Sequence, residues 1–225
     1  MLLRAGGSSS AFIRSVLTTM KYPKTLFVLL LTAAGILSAE TAIIELRPAV
    51  SGRMELTVEK TGLLSGKKHL FTFSRYRGTL RLDRETPESS SVEFSIEAGT
   101  VVCHDTWLSA KDLRKVQQYA VNEMLLAGRH PLIRFQSTSL RKKEGSRYEV
   151  EGVLTIRDIS KPVLLAASLT SGPGNAVLVE GVARVRLTDF GLKPPTAALG
   201  TIGTKDEMTF RFALPANSAA EIVPR

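Results

Sequence analysis

From residue 40 onward the dominant repeat in the chain is two. Met54, Leu56 and Val58 alternate with Arg53, Glu55, Thr57 and Glu59. Val92, Phe94 and Ile96 alternate with Glu93, Ser95 and Glu97, and Tyr148, Val150, Gly152, Leu154 and Ile156 with Glu149, Glu151, Val153 and Thr155. Met208, Phe210, Phe212 and Leu214 close the series against Thr209, Arg211 and Ala213. Successive side chains of a strand point to opposite faces, so this pattern predicts half-buried β-strands. Further strands are predicted at His69–Tyr76, Thr79–Leu82, Leu132–Thr138, Val163–Leu169 and Val177–Leu187. Turn-forming clusters separate them: 84–91 with Pro87, 142–146 with Gly145, and 171–175 with Gly172, Pro173 and Gly174.

One segment departs from the period. Ser109–Leu126 holds no Pro or Gly, and Leu113, Val116, Gln117, Ala120, Val121, Met124 and Leu125 fall on one helical face. Ser109 is placed to cap it, with Asp112 three residues on, and Gly128 is placed to end it. The fold class predicted is therefore all-β: an antiparallel barrel of about eight strands with one helical insertion between the fourth and fifth. No linker divides residues 40–214, and the segment 215–225, with two prolines, reads as a flexible tail.

The first 39 residues form an N-terminal extension and signal peptide. Lys21 and Lys24 precede the apolar run Leu26–Leu37, and the small residues Ser38 and Ala39 follow. The run is short for a membrane-spanning helix, which needs about 20 residues, and has the order of a cleaved secretory leader. Residues 1–19 lie upstream of that leader, with Met20 as the expected start. The mature chain is expected to be periplasmic or secreted. A retained membrane anchor is the other reading.

Composition narrows the class. The chain is 44% hydrophobic and 23% charged, an ordinary globular balance. The net charge of +9 falls to +5 beyond residue 39, and the basic residues are scattered with no aromatic interleaving, so no nucleic-acid surface is expected. The single cysteine, Cys103, cannot form an intrachain disulfide and is expected to be buried.

Four motifs then carry a resemblance. LLSGKKHLFTFSRYRGTLRLD (63–83), HPLIRFQSTSL (130–140), YEVEGVLTIRDISKPVLL (148–165) and RLTDFGLKP (186–194) occur in the order seen in the YceI-like, polyisoprenoid-binding family. The chain resembles that family over roughly residues 46–214. The resemblance implies a lipocalin-like barrel, export, and a polyisoprenoid, quinone-like or other long-chain amphiphilic lipid in the central cavity, without a cofactor or catalytic residues. It departs from the family in two places. Ser109–Leu113 stand where an Arg-Asp-His-Leu stretch is usual, and only His69 remains of a paired histidine near the second strand.

The ligand-binding residues expected on this reading are Leu56, Val58, His69, Phe71, Phe73, Phe94, Ile96, Phe135, Leu154, Ile156, Phe210 and Phe212, with Trp107 and Met124 closing one end. His69 is expected either at the mouth, near the polar headgroup, or as a hydrogen-bonded histidine at the barrel end. The loop 196–204 is expected to rim the mouth, and Asp189–Gly191 to be a turn. Passing contact with a membrane surface and a homodimer are compatible with such a carrier. Two rival readings are a solid-core interaction or stress-response module without lipid, and a lipid hydrolase built on Cys103, His104 and Asp105. No metal site is expected, since no ligand spacing of the usual kind occurs.

Overall fold

The structure is a computed structural model that describes residues 41–221. The leader and anchor readings lie outside the described residues. Among those described, eleven strands form one antiparallel sheet: β1 (Thr41–Leu46), β2 (Arg53–Gly62), β3 (Lys68–Phe73), β4 (Tyr76–Asp83), β5 (Ser91–Glu97), β6 (Val101–Cys103), β7 (Leu132–Lys142), β8 (Arg147–Ile156), β9 (Ile159–Ser171), β10 (Ala176–Arg186) and β11 (Ile202–Glu221). One helix, α1 (Ala110–Tyr119), lies between β6 and β7.

The eleven segments reduce to eight barrel positions. β11 pairs with β2 along residues 202–213 and with β1 along 218–221, so β1 and β2 are two halves of one staggered strand. β3 pairs with β2 and β4 with β1, so the break at Ser74–Arg75 splits a second long strand. β5 and β6 are the halves of a third, joined by the 3-10 turn Ala98–Thr100. The pairing of β1 with β11 closes the ring β1-β4-β5-β7-β8-β9-β10-β11. The all-β barrel reading holds, but the helical insertion follows the third barrel position, because bends in the first three strands mimic separate elements in the sequence. Likewise the predicted strand His69–Tyr76 is divided, and Thr79–Leu82 belongs to β4.

Residues 215–221, expected as tail, continue β11. Pro215 supplies no N–H donor. It falls between Ala213, paired to β2, and Ser218, paired to β1, in the interval where neither of those strands adjoins β11. Pro162 sits in β9 opposite Val153 of β8, beyond the last β9–β10 pair at Leu165. Both prolines therefore occupy gaps in the ladder.

Burial follows the period. In β2, Met54, Leu56 and Val58 are buried, and in β8, Val150, Leu154 and Ile156. In β7 a bulge between Ser137 and Ser139 shifts the parity, bringing Leu140 into the core after Ile133 and Phe135. The Asp189–Gly191 turn is present: Gly191 adopts a φ of 66°, which glycine reaches without strain, and Phe190 is buried.

Candidate functional site: two apolar chambers under a helical cover

α1 is placed as its sequence predicts at one end. Ser109 caps it, its Oγ accepting from the Asp112 N–H at 3.1 Å. The other end differs. The helix widens into a π-turn over Ala120–Met124, and Leu126, with a φ of 48°, turns the chain two residues before Gly128. The apolar face, including Val116, Ala120 and Met124, lies over one end of the barrel. Two polar fastenings hold it there. Gln117 accepts from the Cys103 N–H at 2.7 Å and donates to the Val101 carbonyl at 2.5 Å. Arg157 donates to the Glu123 carbonyl from the β8–β9 turn.

The barrel interior is not filled by side chains. A first chamber of about 130 Å³ lies among β1, β2, β4, β5, β7–β11, with walls that are apolar apart from Tyr148 and Ser168. A second, of about 420 Å³, lies under α1 and is bounded by β2, β3, β6, β11 and the loop Pro195–Ala197. Ile133 and Phe210 belong to the walls of both, so the chambers abut.

The expected residues divide between them. Leu56, Val58, His69, Phe71, Ile156 and Phe210 line the chamber under the helix, with Met124. Phe94, Ile96, Phe135, Leu154, Phe210 and Phe212 line the other. Phe73 is buried but lines neither, since it lies beside the break between β3 and β4. Trp107 does not close the chamber directly. It leans on the His69 ring at 5.5 Å between centroids and donates to the Lys68 carbonyl at 3.1 Å.

His69 is fixed through Nδ1 by a hydrogen bond to the buried Asp105 carboxylate, whose other oxygen accepts from the Leu70 N–H at 2.8 Å. Cys103 is buried beside them, and the donor atoms of His69, Cys103 and Asp105 all lie within 4.8 Å of one another. These three could supply part of a tetrahedral metal site, although both Asp105 oxygens already accept hydrogen bonds. The grouping was not legible in the sequence, where only the neighbours Cys103, His104 and Asp105 stand together. His104 faces outward and meets Thr72 Oγ1 at 2.8 Å, so Cys103 and His104 do not meet as nucleophile and base. Burial also pushes the Cys103 thiol up to about 12, the reverse of an activated nucleophile.

Several residues of the chamber walls were not among those expected, and one of them sets a charge into an apolar row. Lys60 is the next inward position of β2 after Met54, Leu56 and Val58, and is 8% exposed. Its Nζ donates to Thr204 Oγ1 at 3.1 Å. Burial pushes its pKa below the usual lysine range, against the opposing pull of the Asp105 carboxylate. The signal was present in the sequence as a cation in register with an apolar row.

The fold and these chambers define a lipocalin-like antiparallel barrel with an apolar interior. The comparisons with known proteins agree. The YceI-like domain family matches residues 46–216, and the chain belongs to that family. It is 29% identical over 127 residues to a UPF0312 protein from Pseudomonas paraeruginosa, covering 54% of this chain and 62% of that protein's length. BcnA from Burkholderia cenocepacia is similar in fold, with a TM-score of 0.57 at 15% identity over 73% of this chain and 96% of BcnA. So is a polyisoprenoid-binding domain from Saccharophagus degradans implicated in plant cell wall breakdown, with a TM-score of 0.54 at 10% identity over 78% of this chain and 98% of that domain.

Proposed function

We propose that this protein is an exported carrier that holds one polyisoprenoid, quinone-like or other long-chain amphiphilic lipid along the two chambers and does no chemistry on it. The observation that carries this reading is the pair of abutting cavities with a predominantly apolar lining. Water gains little in such a space, whereas an alkyl or isoprenoid chain gains about 0.8 kcal/mol for each CH₂ removed from water. The name of the Saccharophagus domain is in keeping with a lipid ligand. Export rests on the leader-like order of residues 20–39. Loading and release would bring the helical cover close to a membrane surface.

The test is mass spectrometry of organic extracts from the protein purified without detergent. A stoichiometric isoprenoid or other long-chain species supports the carrier reading. A folded protein that arrives empty and refuses long-chain lipids overturns it, and favours an interaction module without lipid.

A further inference from the structure

Lys60 is a cation set into an apolar face. Its ammonium has three donors, and one is met by Thr204 Oγ1. Among the described residues no carboxylate lies within 4.0 Å of it. A buried charge with so little compensation is costly to keep unless something else answers it. Lys60 is part of the wall of the chamber under α1, so an occupant of that chamber can reach it.

The surroundings limit the charge of that occupant. His69 lines the same chamber, but its Nδ1 is taken up by the hydrogen bond to Asp105. Lys115, also in the wall, is well exposed and paired with Asp112 at 3.2 Å. Among the described residues one buried cation, Lys60, therefore faces the chamber, within electrostatic reach of the Asp105 carboxylate. A single negative charge meets that one ammonium directly, beyond its bond to Thr204. A dianion brings a second charge with no buried cation to meet it, and a neutral head leaves the ammonium unanswered.

Building on the carrier reading above, we infer that Lys60 receives the carboxylate of a long-chain monocarboxylic acid, with the chain lying along the apolar wall towards Ile133 and Phe210. Charge-assisted hydrogen bonds from an ammonium to a carboxylate are stronger than neutral ones, and their strength rises in an apolar surrounding.

Trp107, the chain's single tryptophan, rests against His69 in this wall and reports occupancy by its fluorescence. The full chain, stripped of lipid, is titrated with hexadecanoate, hexadecanol, hexadecyl phosphate and acetate. Hexadecanoate is expected to bind at least tenfold tighter than hexadecanol or hexadecyl phosphate, with no response to acetate at the same concentrations. Lys60→Met is expected to erase the preference over hexadecanol, and Lys60→Arg to retain it. Hexadecanoate binding no tighter than hexadecanol, equal or tighter binding of hexadecyl phosphate, or a preference that survives in Lys60→Met overturns the assignment of Lys60 while leaving the carrier reading intact. A response to acetate matching that to hexadecanoate overturns it in favour of a free small anion. Refusal of every long-chain compound removes the carrier reading itself, and this inference with it.

Discussion

The ring of Phe135 on β7 lies against the backbone of Gly152 on β8, so closely that a Cβ at 152 would overlap the ring atoms Cζ and Cε2. The same relation joins Phe94 to Gly78 and Phe212 to Gly181. All three rings line the first chamber, so each glycine makes room for a wide aromatic wall on the neighbouring strand. Gly152→Ala forces the ring or the strand to move, and overpacking of this kind costs about 1–3 kcal/mol. The urea midpoint should fall by the corresponding amount. A Cβ there also meets the Gln136 carbonyl oxygen at 2.5 Å, so an unchanged midpoint would show that both the ring and the β7 backbone give way freely.

Gln117 is the main polar tie between α1 and β6. Replacing it with methionine keeps its length and leaves the Cys103 N–H and the Val101 carbonyl without their partner. Unpaired buried groups cost about 1–3 kcal/mol. Gln117→Met should lower stability within that range and raise hydrogen exchange along α1 more than along β8. Uniform exchange across both elements would mean that the tie does not govern the cover.

Cys103 sets an alkaline limit. Its thiol stays protonated in the folded chain up to about 12 but ionises near 9 when unfolded. Between those values the unfolded state has lost the proton and the folded state has kept it, so stability falls as pH rises. Cys103→Ala should flatten that decline, and subtracting the two curves removes the parallel contribution of Tyr76, whose pKa burial also raises. Below pH 9 the native thiol should resist thiol reagents until the protein is denatured. Rapid labelling of the native protein at pH 8 contradicts the burial that produces the shift.

What the sequence made legible was whatever depends on period and local chemistry. The alternation in β2, β8 and β11 and the Ser109 cap are visible residue by residue, and the three strands set Leu56, Val58, Leu154, Ile156, Phe210 and Phe212 against a chamber. What it hid depends on partners distant in the chain. The bends that split the first three barrel strands show only once β11 is seen to serve both β1 and β2. The extension of β11 past Pro215 reflects the need of β1 for a neighbour, which no local propensity expresses. His69, Cys103 and Asp105 converge because β3 pairs with β6. Lys60 is hidden for a different reason: a lysine in register with Met54, Leu56 and Val58 reads as the end of an apolar run.

That residue yields the last prediction. With the chambers empty, Lys60 burdens the fold, because burial disfavours its ammonium and depresses its pKa below 10.5. At neutral pH the unfolded chain holds the charge in water and the folded chain holds it in an apolar wall. Lys60→Met removes that penalty, and replacing a buried charge by an apolar side chain of similar length is often stabilising. The lipid-free variant should therefore melt higher than the parent at pH 7. The sign of the pH dependence follows. As pH rises from the folded pKa towards 10.5, the folded lysine sheds its proton first, the penalty fades, and the parent gains on the variant until the two converge. Thermal melts of both proteins from pH 7 to 11 check this. A variant less stable than the parent at pH 7 would show that the bond to Thr204 outweighs the desolvation, and that Lys60 belongs to the fold before it belongs to any ligand.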